Sequence, residues 1–118
     1  MTILPTKVEL GAFAAGEVPP PLHITYLDFL ALPVDLTGYV SLQMNIEEEL
    51  SGTTGLGTGS IGVIGDPTLG VVEYTWVRED MLNVGEYTAQ AWVNNGTNYF
   101  ASDLYIFTVY DGPGEPPA

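Results

Sequence analysis

The sequence contains no cysteine, so neither disulfide bonds nor thiolate metal sites can stabilise its fold. Positive charge is nearly as scarce, because only Lys7 and Arg78 stand against fifteen aspartate and glutamate residues. The formal net charge of -13 argues against nucleic-acid binding, which needs lysine and arginine to displace phosphate counterions. It also disfavours binding to anionic membranes. The acidity suits either solubility before assembly or docking onto a basic partner.

Targeting segments are missing as well. The opening "MTILPTKVEL" lacks the basic residues, the apolar stretch and the small-residue cleavage site of a signal peptide. No run approaches the roughly 20 apolar residues of a membrane-spanning helix. We therefore expect a soluble protein that is made in a cytoplasm and is not secreted.

Residues that could carry out catalysis are few. His23 is the only histidine, and it stands in a predicted strand of a sequence without a nucleophile-elbow pattern. The run "GLGTGSIG" contains G-x-G-x-x-G at Gly57, Gly59 and Gly62, but no strand precedes it and no helix follows it, as dinucleotide binding requires. We interpret this run as a flexible loop. The sequence predicts a protein that is not an enzyme and binds no cofactor.

Three adjacent glutamates, Glu47, Glu48 and Glu49, raise the question of a metal site. Calcium loops spread their oxygen ligands over about a dozen residues, whereas adjacent side chains at a strand end point in different directions. We therefore interpret the glutamates as a solvated strand end and expect no metal. A weak calcium site shared with Asp66 is the alternative.

What the sequence does contain is a series of short strand-like runs between 14 glycines and 9 prolines. The clearest run, "YVSLQMNI", alternates and predicts Val40, Leu42 and Met44 in the core. The run "NNGTN" is typical of a tight hairpin turn, because asparagine and glycine tolerate positive φ. The pattern predicts an all-β fold, an immunoglobulin-like antiparallel β-sandwich of six to seven strands without a disulfide.

The chain length fits one domain with a single core. We assign residues 1–110 to this domain, with an extended N-terminal arm and a proline-rich segment at 17–22. Residues 111–118, "DGPGEPPA", form a tail that glycine and proline keep out of regular structure.

One short motif supports the immunoglobulin-like interpretation. In "NVGEYTA", Gly85, Tyr87 and Ala89 follow the order found where such domains enter strand F, and the tyrosine hydroxyl there locks the corner. Ala89 occupies the position of the usual cysteine, so bulky packing has to replace the disulfide. We assign that bulk to Trp76, because Trp92 is out of phase with Tyr87 and Ala89.

Three stretches together resemble a known family: "PLHITYLDFLALPVDLTGYVSLQMNI", "GVVEYTWVREDMLNVGEYTAQAWV" and "FASDLYIFTV". They are similar to a small immunoglobulin-like domain of tailed-phage virions, the N-terminal domain family of the phage baseplate upper protein and its stand-alone relatives. The similarity covers roughly residues 8–110. It implies a structural role in the virion, with synthesis in the host bacterial cytoplasm and no enzymatic activity. Baseplate adaptors continue into a stalk or receptor-binding module, whereas this sequence ends in "DGPGEPPA", which favours an accessory protein.

The leading hypothesis is therefore a capsid decoration or minor capsid protein on the outer surface of the major capsid shell. The expected partner is the major capsid protein, with self-association on the particle left open and neither nucleic acid nor membrane involved. One alternative is a tail or baseplate component that binds the proteins of that structure. The other is a module that binds host-surface glycans through Trp92, Tyr99 and Tyr105. These three aromatic residues and the glutamates at 47–49 form the predicted partner surface.

Overall fold

A computed structural model describes residues 6–112 of the chain, and within that range nine β-strands and two short 3-10 helices form the regular structure. Residues 1–5 of the predicted arm and 113–118 of the predicted tail lie outside the described range. The strands are β1 (Lys7–Ala14), β2 (Leu22–Thr25), β3 (Ser41–Glu48), β4 (Thr54–Leu56), β5 (Ser60–Val63), β6 (Val71–Thr75), β7 (Gly85–Asn94), β8 (Tyr99–Ala101) and β9 (Leu104–Tyr110). The 3-10 helices are Pro67–Leu69 and Arg78–Met81.

The strands form two sheets that share one core. The larger sheet has the order β1-β9-β7-β3-β4, with β8 also paired to β7, and the smaller sheet has the order β2-β6-β5. This order matches an immunoglobulin-like sandwich, in which strands B, E and D face strands C, F and G. The predicted all-β sandwich is confirmed. Within residues 6–112 the sandwich has nine strands, more than the six or seven predicted, and β1 pairs with β9 in parallel.

The last long run of the sequence, which alternation predicts as one strand, is broken in two. β8 and β9 pair with β7 in registers that differ by one residue, so a bulge lies between them. At the bulge, the Ser102 N–H donates to the Ala91 carbonyl oxygen at 2.8 Å, and the Ala91 N–H donates to the Ser102 hydroxyl at 2.9 Å. The buried Ser102 hydroxyl therefore takes the place of a backbone carbonyl oxygen in the hydrogen-bond ladder between the strands.

Aromatic rings fill the space between the sheets. Trp76 directly follows β6 of the smaller sheet and packs edge-on against Phe107 of β9, with ring centroids 5.4 Å apart. Tyr74 packs edge-on against the same tryptophan at 4.9 Å. Trp76 and Met44 are buried and Leu42 is half-buried, so these three predicted core residues face the interior. Ring packing of this kind replaces the disulfide that the sequence lacks.

Val40 is 87% exposed, so its assignment to the core is wrong. The strand that was expected to include it begins only at Ser41. A turn precedes that strand, with Gly38 at φ 83° and a 3.0 Å hydrogen bond from the Tyr39 N–H to the Leu36 carbonyl oxygen. Because the turn breaks the two-residue period, Tyr39 is buried in place of Val40.

The glycine-rich run, predicted as a flexible loop, is instead tied to the sandwich. It connects β4 to β5, the edge strand of the smaller sheet. The Thr58 N–H and hydroxyl donate to Oδ1 of Asp80 at 2.8 and 2.9 Å, and the Tyr74 hydroxyl donates to Oδ2 of Asp80 at 2.7 Å. The Gly59 N–H donates to the Tyr74 hydroxyl at 2.9 Å. One carboxylate and one phenol thus fix the path of the run.

Close packing explains two of the three glycines of the G-x-G-x-x-G pattern. A Cβ atom on Gly57 would overlap the Tyr74 hydroxyl, and one on Gly59 would overlap the Thr75 carbonyl oxygen. Gly62 has open space at the corresponding point. Gly57 is therefore required by the Tyr74 side chain, and Gly59 is required mainly by the backbone of β6.

Candidate interaction surfaces

Trp92 lies on the outer face of the larger sheet, where it is half-buried. It pairs with Gln43 of β3 on one side and with Ala101 of β8 on the other. Tyr99 shares this outer face and is 62% exposed. Glu47 also lies there, because it is an even number of positions from Gln43 along β3. These three members of the predicted partner surface therefore share one face.

Tyr105, in contrast, is buried, and its prediction as part of the partner surface is wrong. It faces the interior with Phe107 and Val109 of the same strand. Tyr99 and Tyr105 are six positions apart, which would put both on one face of an unbroken strand. The one-residue bulge between β8 and β9 reverses that relationship. Burial, together with the charge of Asp103, raises the pKa of Tyr105.

The three adjacent glutamates point to different environments. Glu47 accepts a 3.1 Å hydrogen bond from the Thr54 hydroxyl on the outer face. Glu48 is half-buried, and Glu49 lies beyond the end of β3, where its N–H donates to the Glu86 carbonyl oxygen at 2.9 Å. Across residues 6–112, no three histidine, aspartate or glutamate side chains come together as metal ligands would.

The outer face also carries a shallow concavity of about 370 Å³. Its lining combines amide, hydroxyl and charged side chains with one leucine. The residues that line it are Lys7, Asn45, Glu47, Thr54, Thr88, Gln90 and Leu104. The concavity offers hydrogen-bonding groups on the face that also carries Trp92 and Tyr99.

The predicted structural corner is present at the start of β7. The Tyr87 hydroxyl donates a 2.6 Å hydrogen bond to the Asn83 carbonyl oxygen, four residues upstream. The Tyr87 ring stacks on Phe107, with centroids 5.2 Å apart and planes inclined by 14°. Ala89 is fully buried and Gly85 lies at the strand start. Burial, together with the charge of Glu48, raises the pKa of Tyr87.

A second surface, which the sequence interpretation missed, is the loop of residues 27–33 between β2 and β3, here named the tip loop. It exposes four large apolar side chains: Phe29 at 96%, Leu30 at 66%, Leu32 at 56% and Leu27 at 54%. In the sequence this loop reads "LDFLALP". Its apolar residues do not alternate with polar ones, and that signal could have identified it.

Hydrogen bonds fix the shape of the tip loop. Oδ1 of Asp28 accepts the N–H groups of Leu30 and Leu32 at 2.8 and 3.0 Å. The Asp28 N–H donates to the Leu32 carbonyl oxygen, and the Ala31 N–H donates to the Asp28 carbonyl oxygen. Ala31 adopts φ 61°, in the left-handed region that non-glycine residues rarely occupy. A bridge between Leu27 and Pro33 closes the loop.

Carboxylates flank the tip loop. Hydrogen bonds from the side chain and backbone of Thr37 lower the pKa of Asp35, and those from the backbone and side chain of Thr68 lower the pKa of Asp66. The two acidic segments adjoin, because the Leu36 N–H donates to the Pro67 carbonyl oxygen at 2.9 Å. Both carboxylates therefore stay ionised at this end of the sandwich.

Neither the lysine nor the arginine of the chain lies within the tip loop. Lys7 pairs with Leu104 along the larger sheet, and Arg78 lies in the 3-10 helix before β7, at the opposite end of the sandwich. Asp66, at the tip-loop end, is likewise far from the glutamates at the end of β3, so the calcium alternative does not bring its residues together.

No protein-family model matches this sequence, and no curated protein shows detectable similarity to it. Within the described range, none of the helices has the length and apolar character needed to cross a bilayer. Fold, charge and exposed surface are therefore the observations from which function has to be argued.

Proposed function

We propose that this protein is a non-enzymatic structural component of a tailed-phage virion, a decoration or minor capsid protein on the outer surface of the capsid shell. The observation that carries the proposal is the pairing of an immunoglobulin-like sandwich with exposed charge of almost one sign. Fifteen acidic residues against two basic ones suit docking onto a basic lattice of capsid subunits. The resemblance of the sequence to immunoglobulin-like virion domains supports the same role.

The polar interactions of the described residues serve to hold shape. Asp28 and Asp66 accept backbone N–H groups of their own turns, and Asp80 fixes the glycine-rich run. The Tyr87 hydroxyl locks the entry to β7. A rigid module of this kind suits a protein whose task is to present a surface to an assembly.

Co-sedimentation with separated heads and tails of a phage that encodes this chain tests the proposal. We expect stoichiometric pelleting with heads alone, weakened at high salt because the attraction between charged surfaces is screened. Pelleting with tails alone would favour the alternative of a tail or baseplate component. Pelleting with neither would contradict a virion role.

The outer face of the larger sheet supports a second candidate, a module that binds host-surface glycans. Trp92 and Tyr99 lie on the face that carries the concavity lined by Thr88 and Gln90. Rings that combine an apolar body with nearby hydrogen-bonding groups suit sugar recognition. If this candidate is right, purified protein should bind host cells without particles, and Trp92→Ala should abolish that binding.

A further inference from the structure

We propose that the tip loop, residues 27–33, is an apolar plug that inserts into an apolar pocket with a basic rim on a subunit of the assembled particle. The proposal rests on the proposed virion function and names the attachment point and the chemistry of the partner. Three observations carry it: the exposure of the loop, its fixed conformation, and the charge around it.

Exposure is the first observation. Phe29 is 96% exposed and Leu30 is 66% exposed, whereas the aromatic residues Trp76 and Phe107 of the shared core are buried. Large apolar side chains that are grouped on one protruding segment mark an interaction site, unlike those that are scattered singly. An aromatic residue at the centre of such a group is the usual anchor of a protein–protein interface.

The second observation is that the loop is held in its shape before it binds anything. The Asp28 side chain and backbone bond to Leu30, Ala31 and Leu32, so five consecutive residues form one hydrogen-bonded turn. Ala31 occupies a strained backbone conformation that these bonds maintain. A preformed loop loses little conformational entropy on docking, which favours affinity.

The third observation is the charge next to the loop. Asp35 and Asp66 lie at its base with lowered pKa values, no lysine or arginine lies within the loop, and Arg78 lies at the opposite end of the sandwich. A second copy of this chain would bring two acidic ends together, and an anionic membrane would repel the same carboxylates. Lysine and arginine around an apolar pocket would complement both features of the loop.

A variant that removes the apolar character tests the plug directly. The tip variant carries Phe29→Ser and Leu30→Ser. The matched control carries Leu50→Ser and Leu82→Ser, which are 92% and 50% exposed. Leu50 follows β3 and Leu82 precedes β7, at the end of the sandwich opposite the tip loop. Because all four side chains are exposed, both variants should keep the melting temperature of the wild type. Each protein is titrated against heads and, separately, tails from a mutant phage that lacks this chain.

We expect the wild type and the control to bind equally, and the tip variant to bind about 30-fold more weakly or worse, as loss of a central anchor does. Equal binding by the tip variant would overturn the plug while leaving the virion function in place. If the wild type binds neither heads nor tails, the virion function fails and the plug fails with it.

Two further measurements test whether the tip loop binds a different partner. Sedimentation velocity tests for a dimer. If the wild type forms a dimer that the tip variant loses, the tip loop binds a second copy of the chain and the proposal is overturned. If the wild type pellets with phosphatidylglycerol–phosphatidylcholine vesicles and the tip variant does not, the tip loop binds a membrane and the proposal is overturned. A monomer that leaves vesicles in the supernatant supports the proposal.

The basic rim is tested with Asp35→Asn and Asp66→Asn together. An asparagine Oδ1 can still accept the turn hydrogen bonds, so the change removes charge and keeps the local structure. We expect the affinity for particles to depend less steeply on salt concentration than it does for the wild type. An unchanged salt dependence would overturn the basic-rim part of the proposal.

Discussion

The Tyr26 hydroxyl donates a 2.8 Å hydrogen bond to the Ala91 carbonyl oxygen and thereby joins the two sheets of the sandwich. Tyr26 directly follows β2 of the smaller sheet, and Ala91 lies in β7 of the larger sheet. The same carbonyl oxygen accepts the Ser102 N–H at the bulge. Burial is the main cause that raises the pKa of Tyr26, with a smaller contribution from Tyr105. One carbonyl oxygen thus takes part both in the β7–β8 pairing at the bulge and in the contact with the smaller sheet.

Replacing Tyr26 by phenylalanine should lower the free energy of unfolding by about 1 kcal/mol. The loss stays modest because Ser102 still satisfies the Ala91 carbonyl oxygen. Urea denaturation measures it. Tyr39→Phe is the control, because that ring is similarly buried and its hydroxyl bonds to none of the residues in 6–112. Equal losses in both variants would show that the inter-sheet hydrogen bond contributes nothing of its own.

Alkaline pH should unfold the protein. Burial raises the pKa of Tyr26, Tyr74, Tyr87 and Tyr105 above the ordinary value of about 10. The folded chain therefore holds these protons more tightly than the unfolded chain. The stabilisation is complete below about pH 10 and is lost as pH rises through the higher folded values. Urea midpoints measured across this pH range, together with tyrosinate absorbance, test the expectation. A free energy of unfolding that stayed constant above about pH 10 would contradict it.

Replacing Tyr87 by phenylalanine should cost about 1–2 kcal/mol, because the variant loses the hydrogen bond to Asn83 while keeping the stack on Phe107. Thermal unfolding followed by circular dichroism measures the loss. Tyr105→Phe is the matched control, since its ring is equally buried and its hydroxyl makes no hydrogen bond within the described range. A corner of no energetic importance would leave the two variants equally stable.

Replacing Gly59 by alanine should destabilise the fold by about 1–3 kcal/mol, because the added methyl group overlaps the Thr75 carbonyl oxygen. Gly62→Ala, in the neighbouring strand, meets open space and should be neutral or slightly stabilising. Denaturant unfolding of the pair gives the difference. Similar stabilities would mean that the glycine-rich run moves easily away from the Thr75 carbonyl oxygen.

Sequence patterns predicted the parts of the fold in which a two-residue period continues without interruption. Trp76, Met44 and Tyr87 are buried because β6, β3 and β7 keep their phase where these residues lie. Val40 and Tyr105 were placed wrongly because a turn or a single inserted residue reverses the phase, and neither leaves a clear mark in composition.

The candidate site was predicted less completely. Trp92 and Tyr99 follow from alternation along β7 and β8. The tip loop could not be predicted in this way, because alternation describes strands. The shape of the loop depends instead on Asp28, which bonds to several backbone groups. The parallel pairing of β1 with β9 was also missed, since a partner so distant along the chain leaves no local signal.

That parallel pairing has a consequence for biosynthesis. Lys7 of β1 pairs with Leu104 of β9, so β1 leaves the ribosome about 100 residues before the neighbour with which it pairs. At elongation rates of about 5–20 residues per second, this delay is on the order of 5–20 s. During it, the edge of β1 is open to other chains, and the surplus of carboxylates keeps nascent copies apart. The acidic composition thus protects the chain at the stage when it is most prone to aggregate.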